Sequence, residues 1–448
     1  MPMHGIRLNM PFRSAGKGGF SVGMTIVEKI LAAHCGKERV RPGEIENVKV
    51  DFVVGNEAPC VLTIQDYYRM GCKKVFDTER VAIVPDHLTP NRGIPEAETC
   101  KLVRDFVRKT GIKHYFEVGQ AGGVSHVIIP EKGLVGAGDV VIGADSHTCT
   151  YGALNCFATG MGSTDMLSGI VLGEVWMRIP ETIKVVFKGK LRPGIVGKDL
   201  ILFLIGKIGV EGARYKALEF SGEALRDLGM DSRLSLANMT VEAGAKCGIF
   251  EPDELTAAYL DERCKRPYTL YYPDADAEYD QVLEFDVSDL EPQVALPHQP
   301  ENVVPMSRAN GKDIPLDQVF IGSCSSGRME DLHIAADIVR GRKVNPNVRL
   351  VVIPGSQEVY VKASNDGTLA ALVEAGAAVC TPTCGPCGGR NTGVLAAGER
   401  CASTSPRNFK GRMGHMESEV YLVGAHVAAA SAILGYLGTP EELERSGK

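Results

Sequence analysis

Residues 317–341, DQVFIGSCSSGRMEDLHIAADIVRG, carry the pattern that decides the fold. The apolar run at 317–322 predicts a buried strand, and the amphipathic stretch at 329–341 predicts a helix after a short Gly-Ser-Cys turn. The same alternation recurs along the chain, with strands predicted at 48–54, 81–84, 139–143, 183–189 and 349–354 and helices at 25–33, 97–111 and 356–376. Alternating strands and helices predict an α/β fold with largely parallel sheets.

The length and composition indicate an ordinary globular protein with more than one domain. A chain of 448 residues is too long for one small core, and its 44% hydrophobic and 23% charged residues are typical of globular proteins. The polar, Pro-rich segment 294–315 predicts a linker between an N-terminal unit at 23–293 and a C-terminal unit at 316–448. A net charge of −6 argues against a nucleic-acid-binding surface, whereas a small anionic substrate needs only a local group of arginines.

Residues 1–22 form an N-terminal extension with Arg7, Arg13 and Lys17 and without the apolar stretch of a secretory signal. A disordered tail is the simpler interpretation, and an organelle transit peptide is the alternative. Thirteen cysteines in a long chain without such a signal indicate a reducing compartment, so we expect a cytoplasmic protein unless the extension is a transit peptide. Segment 420–437 is apolar but short and rich in small residues, which predicts a buried helix rather than a membrane span.

Residues whose side chains could act in catalysis or metal binding follow three of the predicted strands. They are Asp86-His87 after 81–84, Asp145-Ser146-His147 after 139–143, and Cys324 after 317–322. Ligands of open α/β sheets bind beyond the carboxyl ends of the strands, so we expect these groups at a site. A carboxylate beside a histidine can raise its pKa and make it a proton donor near neutral pH. For either pair alone, a strand-end cap with a core histidine is the favoured interpretation, but two pairs in similar positions favour function.

Three cysteines have the arrangement of a metal site. Cys384 and Cys387 lie in the Gly/Pro-rich turn CGPC, which lets both thiols face one object, and Cys324 precedes a helix whose N-terminus stabilises thiolates. Three cysteines can hold a cubane iron–sulfur cluster with one iron open, whereas electron-transfer clusters normally take four. A structural zinc site with Cys380 or Cys401 as fourth ligand is the alternative, and spacing alone leaves it open.

Two further stretches carry candidate binding residues. The loop STSPRNFKGRMG at 403–414 contains Arg407 and Arg412, and arginine is suited to bidentate binding of carboxylates. Its position after the cysteine pair predicts a di- or tricarboxylate held against a Lewis acid, with a solvated basic loop as the alternative. In LANMTVEAGAKCG at 236–248, Asn238 and Glu242 are four residues apart and would share one face of a helix.

In this order and at these separations, four motifs resemble the aconitase superfamily: GADSHTCTYGAL at 143–154, IGSCSSGR at 321–328, CGPCGG at 384–389 and ERCASTSPRNFKGRMG at 399–414. From about residue 23 onward the chain is similar to the large subunits of 3-isopropylmalate dehydratases and homoaconitases. The resemblance implies three-layer α/β/α domains packed around an iron–sulfur cluster, without the swivel domain. It also implies a hydro-lyase with a [4Fe-4S] cluster, one iron of which has no protein ligand.

The resemblance assigns roles by motif position. The cluster ligands are Cys324, Cys384 and Cys387. The acid–base network is Asp86, His87, His126, Asp145, His147 and Glu242, and the substrate contacts are Asn238, Ser146, Arg407 and Arg412. The implied substrate is a 2- or 3-hydroxy di- or tricarboxylate, with 2- to 3-isopropylmalate conversion in leucine biosynthesis as the main interpretation. The alternatives are homoaconitase, an aconitase-like enzyme and a 2,3-dimethylmalate dehydratase.

The resemblance also implies a partner. In this family the base is a serine of the swivel domain, and the sequence after the arginine loop leaves no room for that domain. We therefore expect a small swivel-domain subunit in a heterodimer or heterotetramer, and neither a nucleic acid nor a membrane as partner. The sequence departs from the family pattern at Ser325-Ser326, at Pro406 and at 57–61, positions that flank the expected substrate pocket. A non-catalytic iron–sulfur or zinc scaffold and an RNA-binding regulator are the competing classes, and the acidic balance disfavours the regulator.

Overall fold

The computed structural model describes residues 23–447, so the expectations for residues 1–22 lie outside the described part of the chain. The strands are β1 (Ile45–Lys49), β2 (Phe52–Gly55), β3 (Val81–Ile83), β4 (His114–Tyr115), β5 (Val140–Gly143), β6 (Phe157–Gly160), β7 (Glu174–Arg178), β8 (Thr182–Lys188), β9 (Ala217–Ser221), β10 (Cys247–Phe250), β11 (Gln281–Asp286), β12 (Gln293–Ala295), β13 (Val303–Pro305), β14 (Gln318–Ile321), β15 (Arg349–Val352), β16 (Ala378–Val379), β17 (Arg400–Ser403) and β18 (Glu419–Leu422).

The α-helices are α1 (Ile26–Cys35), α2 (Glu57–Arg69), α3 (Ile94–Thr110), α4 (Ser125–Glu131), α5 (Ser163–Leu172), α6 (Gly197–Ile208), α7 (Met230–Asn238), α8 (Glu254–Arg263), α9 (Met329–Val339), α10 (Gln357–Asn365), α11 (Thr368–Ala375), α12 (Ala425–Leu434) and α13 (Pro440–Ser446). Helix α1 begins where the sequence predicts, because the Thr25 side chain accepts from the backbone N–H of Glu28 and the Glu28 carboxylate accepts from the backbone N–H of Thr25. The predicted α/β architecture is confirmed.

Two predicted elements are each divided in the structure. The run at 48–54 is not one strand, because β1 ends at Lys49 and pairs antiparallel with β7, while β2 begins at Phe52 in another sheet. The predicted helix at 356–376 is two helices, α10 and α11. They are separated at Gly367, where φ is 84°, a left-handed conformation that ends a helix and suits glycine.

Two large sheets share one strand order. The five-stranded sheet runs β4-β3-β2-β5-β6, with every pair parallel. The parallel part of the seven-stranded sheet runs β16-β15-β14-β17-β18 and is extended by the antiparallel strands β12 and β13. In the parallel part of each sheet the first three strands are added one after another towards one edge, and the fourth strand pairs with the opposite side of the first. The crevice at that switch point is where such sheets bind ligands.

A parallel four-stranded sheet, β10-β9-β8-β11, completes the fold. The central strands β2, β5 and β14 are buried at every residue, as expected for parallel sheets covered by helices on both faces. Segment 294–315, predicted as a linker, contributes most of β12 and all of β13 to the edge of the seven-stranded sheet. The unit boundaries themselves remain a prediction.

Segment 420–437 contains the end of β18 and the whole of α12. Every residue of α12 is buried, as the small-residue pattern predicts. In the part of the chain from 23 to 447, no helix combines the length and the apolar character that crossing a membrane requires.

Candidate active site

The carboxyl ends of the five-stranded and seven-stranded sheets contribute to one cleft of about 360 Å³. Residues that follow β3 and β5 line it from one side, and residues that follow β14 and β16 line it from the other. Most of the predicted site residues therefore lie together. The lining consists of Asp86, His87, His126, Asp145, His147, Ser323, Cys324, Cys384, Cys387, Gly388 and Arg412.

His87 lies between two carboxylates. Its Nδ1 is 2.6 Å from Asp86 Oδ1, and its Nε2 is 3.6 Å from Asp145 Oδ2. Asp86 is fully buried and accepts hydrogen bonds of 2.9 Å from Asn56 Nδ2 and from the backbone N–H of Ser125. Burial alone would lower the pKa of His87, but the two carboxylates raise it well above its usual value. These contacts favour the protonated form of His87.

Asp145 is the centre of the histidine cluster. It caps the 3₁₀ helix Ser146–Leu154 by accepting from the backbone N–H of His147, at 2.7 Å. Its Oδ1 lies 3.2 Å from His126 Nε2 and 3.2 Å from His147 Nδ1. Burial would raise the pKa of Asp145, but its contacts with His126, His147 and His87 hold that pKa well below its usual value. The other nitrogen of the His126 ring is fixed by the Tyr151 hydroxyl at 3.0 Å.

Glu242 links the histidine cluster to the arginine loop. Its Oε1 is 3.0 Å from His147 Nε2 and accepts a 2.6 Å hydrogen bond from Arg407 Nε. Arg407 Nη2 also donates to Ser146 Oγ, at 2.9 Å. Arg407 is thus held beside the cleft by two side chains. Arg412 lines the cleft itself, and within residues 23–447 its buried Nε atom has no hydrogen-bond partner.

Asn238 takes a different place from the one predicted. It ends α7, whereas Glu242 belongs to the following 3₁₀ helix Met239–Ala243, so the two do not share one α-helical face. Asn238 Nδ2 donates to Thr150 Oγ1 at 2.8 Å, and its Oδ1 is 3.7 Å from Cys324 Sγ. Asn238 is fully buried, and it touches the candidate ligand Cys324 from behind rather than lining the cleft.

The three candidate ligand thiols meet at the cleft from two loops. Cys324 comes shortly after β14 and directly after Ser323. The φ of Ser323 is 73°, a value that is rare outside glycine, and it sets the direction of the turn that brings Cys324 to the cleft. Cys384 precedes the short 3₁₀ helix Gly385–Gly388 and Cys387 lies within it, and the Cys384 N–H donates to the Asp86 carbonyl at 2.9 Å. Burial, with neighbouring charges including Cys387, raises the pKa of the Cys324 thiol well above its usual range.

This donor set fits an iron–sulfur group. Thiols are the ligands such clusters use, and a bound metal deprotonates thiols that burial would otherwise keep neutral. One ligand atom each from Asp86, His87 and Cys384 lies within 4.8 Å of the other two, so acid–base groups adjoin the thiols. Cys380 and Cys401, the fourth ligands of the zinc alternative, are not among the described residues that line the cleft. Cys401 lies within β17, fully buried.

Three supporting residues were not singled out from the sequence as parts of the site. Arg328 donates to the carbonyls of Cys324 at 2.9 Å and His126 at 2.8 Å. It belongs to the motif IGSCSSGR, and this motif could have identified it from the sequence. Glu57 accepts from backbone N–H groups after β3, although the sequence shows it only as a departure from the family pattern. Lys198 gives no local signal, since its partners are more than a hundred residues away in sequence.

Comparisons with known proteins agree with this geometry. A family model described as the aconitase family (aconitate hydratase) matches residues 28–435. The chain is 54% identical to the 3-isopropylmalate dehydratase large subunit of Halothermothrix orenii and 56% identical to that of Moorella thermoacetica, each over 422 residues, which are 94% of this chain and 100% of each relative. It is 56% identical over 421 residues to 3-isopropylmalate dehydratase large subunit 1 of Pyrococcus furiosus, covering 94% and 99% of the two chains.

A solved structure, holo aconitase X of Thermococcus kodakaraensis, matches with a TM-score of 0.50 at 14% identity, covering 88% of this chain and 94% of that one. At this identity the match supports the fold alone. The family model, in contrast, spans nearly the whole described chain, and the relatives match it over almost their full lengths. The chain therefore belongs to the aconitase family.

Proposed function

We propose that this chain is the cluster-bearing large subunit of a hydro-lyase, a 3-isopropylmalate dehydratase that converts 2-isopropylmalate into 3-isopropylmalate. One observation carries the proposal: a single cleft is lined by three thiols, by a histidine between two carboxylates, and by Arg412, whose buried Nε has no partner among the described residues. Dehydration of a hydroxy acid needs a Lewis acid, a proton donor and a cation for the carboxylate, which are the three functions these groups provide. Relatives at 54–56% identity carry the same name.

The cofactor in this proposal is a [4Fe-4S] cluster held by Cys324, Cys384 and Cys387. Membership of the aconitase family implies an iron–sulfur cluster, and three thiols around one cavity would leave one iron of a cubane without a protein ligand. When bound, such a cluster supplies a Lewis acid for the hydroxyl and carboxylate oxygens of the substrate. The remaining steps depend on the protein's own side chains.

His87 is the proton donor for the departing hydroxyl group. Its two carboxylate neighbours keep it protonated, and it lines the cleft beside Cys384. As the carbon–oxygen bond breaks, the hydroxyl leaves as water with the proton from His87. Asp145 holds His126 and His147 in fixed orientations, and Asp86 does the same for His87, so the donor is aimed before the substrate binds.

The arginine loop binds the substrate carboxylates. Arg412 has a buried Nε with no partner among the described residues, and a carboxylate is the group that would satisfy it. Arg407 is anchored by Glu242 and Ser146, which fixes the direction of its guanidinium plane. Substrate carboxylates would therefore be held on the side of the cleft formed by the seven-stranded sheet.

The base that removes the carbon-bound proton comes from a small partner subunit of the swivel-domain type. The relatives are named large subunits, which implies a smaller partner for each of them. The carboxylates that line the cleft of this chain, Asp86 and Asp145, already contact histidines and are poorly suited to accept a proton from carbon. A base supplied in trans would also exclude water when the two subunits close over the substrate.

The test is an anaerobic assay of the reconstituted chain with and without a co-expressed small subunit. Five substrates distinguish the family activities: isopropylmalate, homocitrate, citrate, 2,3-dimethylmalate and citramalate. We expect the pair to act on isopropylmalate with the highest kcat/KM and the chain alone to be inactive with its cluster in place. Preference for another acid would reassign the substrate. Full turnover by the lone chain would refute the base in trans, and absence of iron would refute the hydro-lyase assignment.

A further inference from the structure

Behind the cleft lies a buried lysine whose hydrogen-bond partners are all neutral. Lys198 is the second residue of α6 and is 1% exposed. Its ammonium group donates to the carbonyls of Thr404 at 3.0 Å and Ser405 at 2.9 Å, and it lies 3.3 Å from Ser325 Oγ. These contacts connect the loop after β14, which carries Cys324, to the loop after β17, which carries Arg407 and Arg412.

A buried ammonium ion needs negative charge nearby, because its loss of hydration is not recovered from carbonyl contacts alone. Within residues 23–447, the ionisable neighbours whose charged forms would most favour its protonated form are Cys324, Asp331, Cys387 and Glu242. Asp331 already accepts from the backbone N–H of Arg328 at 3.3 Å, and burial raises its pKa to about 8, which reduces the negative charge it offers.

The other two nearby carboxylates have partners of their own. Glu242 is bonded to Arg407 and His147. Asp199 follows Lys198 in the chain, but its carboxylate accepts from the backbone N–H groups of Val196 at 3.1 Å and Gln293 at 2.9 Å. On the basis of this geometry, the cluster ligands Cys324 and Cys387 are the negative groups left for Lys198.

We propose that Lys198 is the counter-ion of the iron–sulfur cluster, a positioning residue that balances the negative charge of the cluster and its thiolates. This rests on the proposed function, because it requires a cluster held by Cys324, Cys384 and Cys387. Burial lowers the pKa of the Lys198 ammonium to about 8, and the neighbouring Cys324 and Cys387 act against that lowering. A cation at this position favours the more negative, reduced state of the cluster and holds the cluster in place.

The test compares Lys198→Gln with Lys198→Arg in the complete two-subunit complex. Glutamine removes the charge but can still donate to a carbonyl, whereas arginine keeps the charge and disturbs the fit. Lys188→Gln is the matched control, because Lys188 is half-exposed and pairs with Glu284 on the surface. Two measurements are independent of turnover: the midpoint potential of the cluster by redox titration with electron paramagnetic resonance, and the rate of iron loss to a chelator.

We expect the Lys198→Gln variant to have a more negative midpoint potential and to lose iron about tenfold faster, which corresponds to about 1.4 kcal/mol. Lys198→Arg and Lys188→Gln should stay near the wild type in both measurements. An unchanged potential in Lys198→Gln, equal shifts in Lys198→Gln and Lys198→Arg, or failure of both to take up iron would overturn the counter-ion assignment. If the wild-type complex takes up no cluster, the proposed function fails instead, so the two failures are distinguishable.

Discussion

Replacement of Glu57 by glutamine should loosen the backbone that holds Asp86 and His87 in the cleft. Glu57 is the first residue of α2 and is completely buried. One carboxylate oxygen accepts from the Asp86 N–H at 3.0 Å, and the other accepts from the N–H groups of His87, at 2.7 Å, and Leu88. A single side chain therefore binds three consecutive backbone donors directly after β3.

The size of the effect follows from what a glutamine can replace. The single carbonyl oxygen of glutamine can still accept from the His87 and Leu88 N–H groups. Its NH₂ group then faces the Asp86 N–H, and because both groups are donors, no hydrogen bond forms between them. Hydrogen bonds to charged groups contribute about 1.5–3 kcal/mol each, so one is lost and two are weakened. Burial raises the pKa of Glu57, and a neutral amide avoids part of that burial penalty. The net loss should be about 2–4 kcal/mol of local stability.

Hydrogen–deuterium exchange of the peptide that contains residues 86–88 measures this loss directly. Local opening should make these amides exchange about 30- to 1,000-fold faster, since each 1.4 kcal/mol is a factor of ten. Glu284→Gln is the matched control, because Glu284 is about half-exposed and its removal should change stability by about 0.5 kcal/mol or less. If exchange at residues 86–88 in a folded Glu57→Gln variant stays within threefold of the wild type, Glu57 does not hold this backbone in place.

The same substitution also has a predicted pH signature. Glu57 is one of the charges that raise the pKa of His87, so its neutralisation should lower that pKa. Because His87 acts as a proton donor, kcat falls as the pH rises through its pKa. The basic limb of the pH profile should therefore move to lower pH in Glu57→Gln.

Three further predictions concern the cleft. Cys324→Ser should abolish iron binding, whereas Cys401→Ser should retain the full iron content, and iron analysis after anaerobic reconstitution distinguishes the two; loss of iron in both would favour a fourth thiol ligand. Asp145→Asn should shift the basic limb of the kcat profile to lower pH, because it removes a carboxylate that raises the pKa of His87; an unshifted limb would exclude His87 as the donor. Arg412→Lys should raise KM about tenfold with a smaller change in kcat, as expected for loss of a bidentate contact worth about 1.4 kcal/mol, and an unchanged KM would remove Arg412 from substrate binding.

Local patterns were sufficient to predict where the site residues lie on their own strands. Asp86, Asp145 and Cys324 each follow a buried parallel strand, and the carboxyl ends of such strands meet at one edge of a sheet. A strand is recognised from a few adjacent residues, so this part of the prediction needs no knowledge of distant contacts. The turn with Cys384 and Cys387 was equally local, because glycine and proline determine its shape.

Contacts between distant segments could not be predicted in the same way. The partners of Lys198 lie 127 to 207 residues away in sequence, and nothing near Lys198 distinguishes it from a surface lysine. The pairing of Asn238 with Glu242 failed for a related reason. The chain tightens from α7 into a 3₁₀ helix, a change of about 20° of rotation per residue that packing against neighbouring elements decides and that four-residue spacing does not reveal.

These contacts indicate a structural role for the positions at which the sequence departs from the family pattern. Ser325 is completely buried, donates to the Thr404 carbonyl at 2.8 Å and lies beside Lys198, so it belongs to the support of the cluster loop. Pro406 is buried, and Glu57 holds backbone rather than facing the cleft. Among the described residues these positions are absent from the cleft lining, so they change what stands behind the reacting groups. Under the proposed function, substrate choice then depends on the open side of the cleft, where Arg412 would bind a carboxylate and the partner subunit would contact the carbon skeleton.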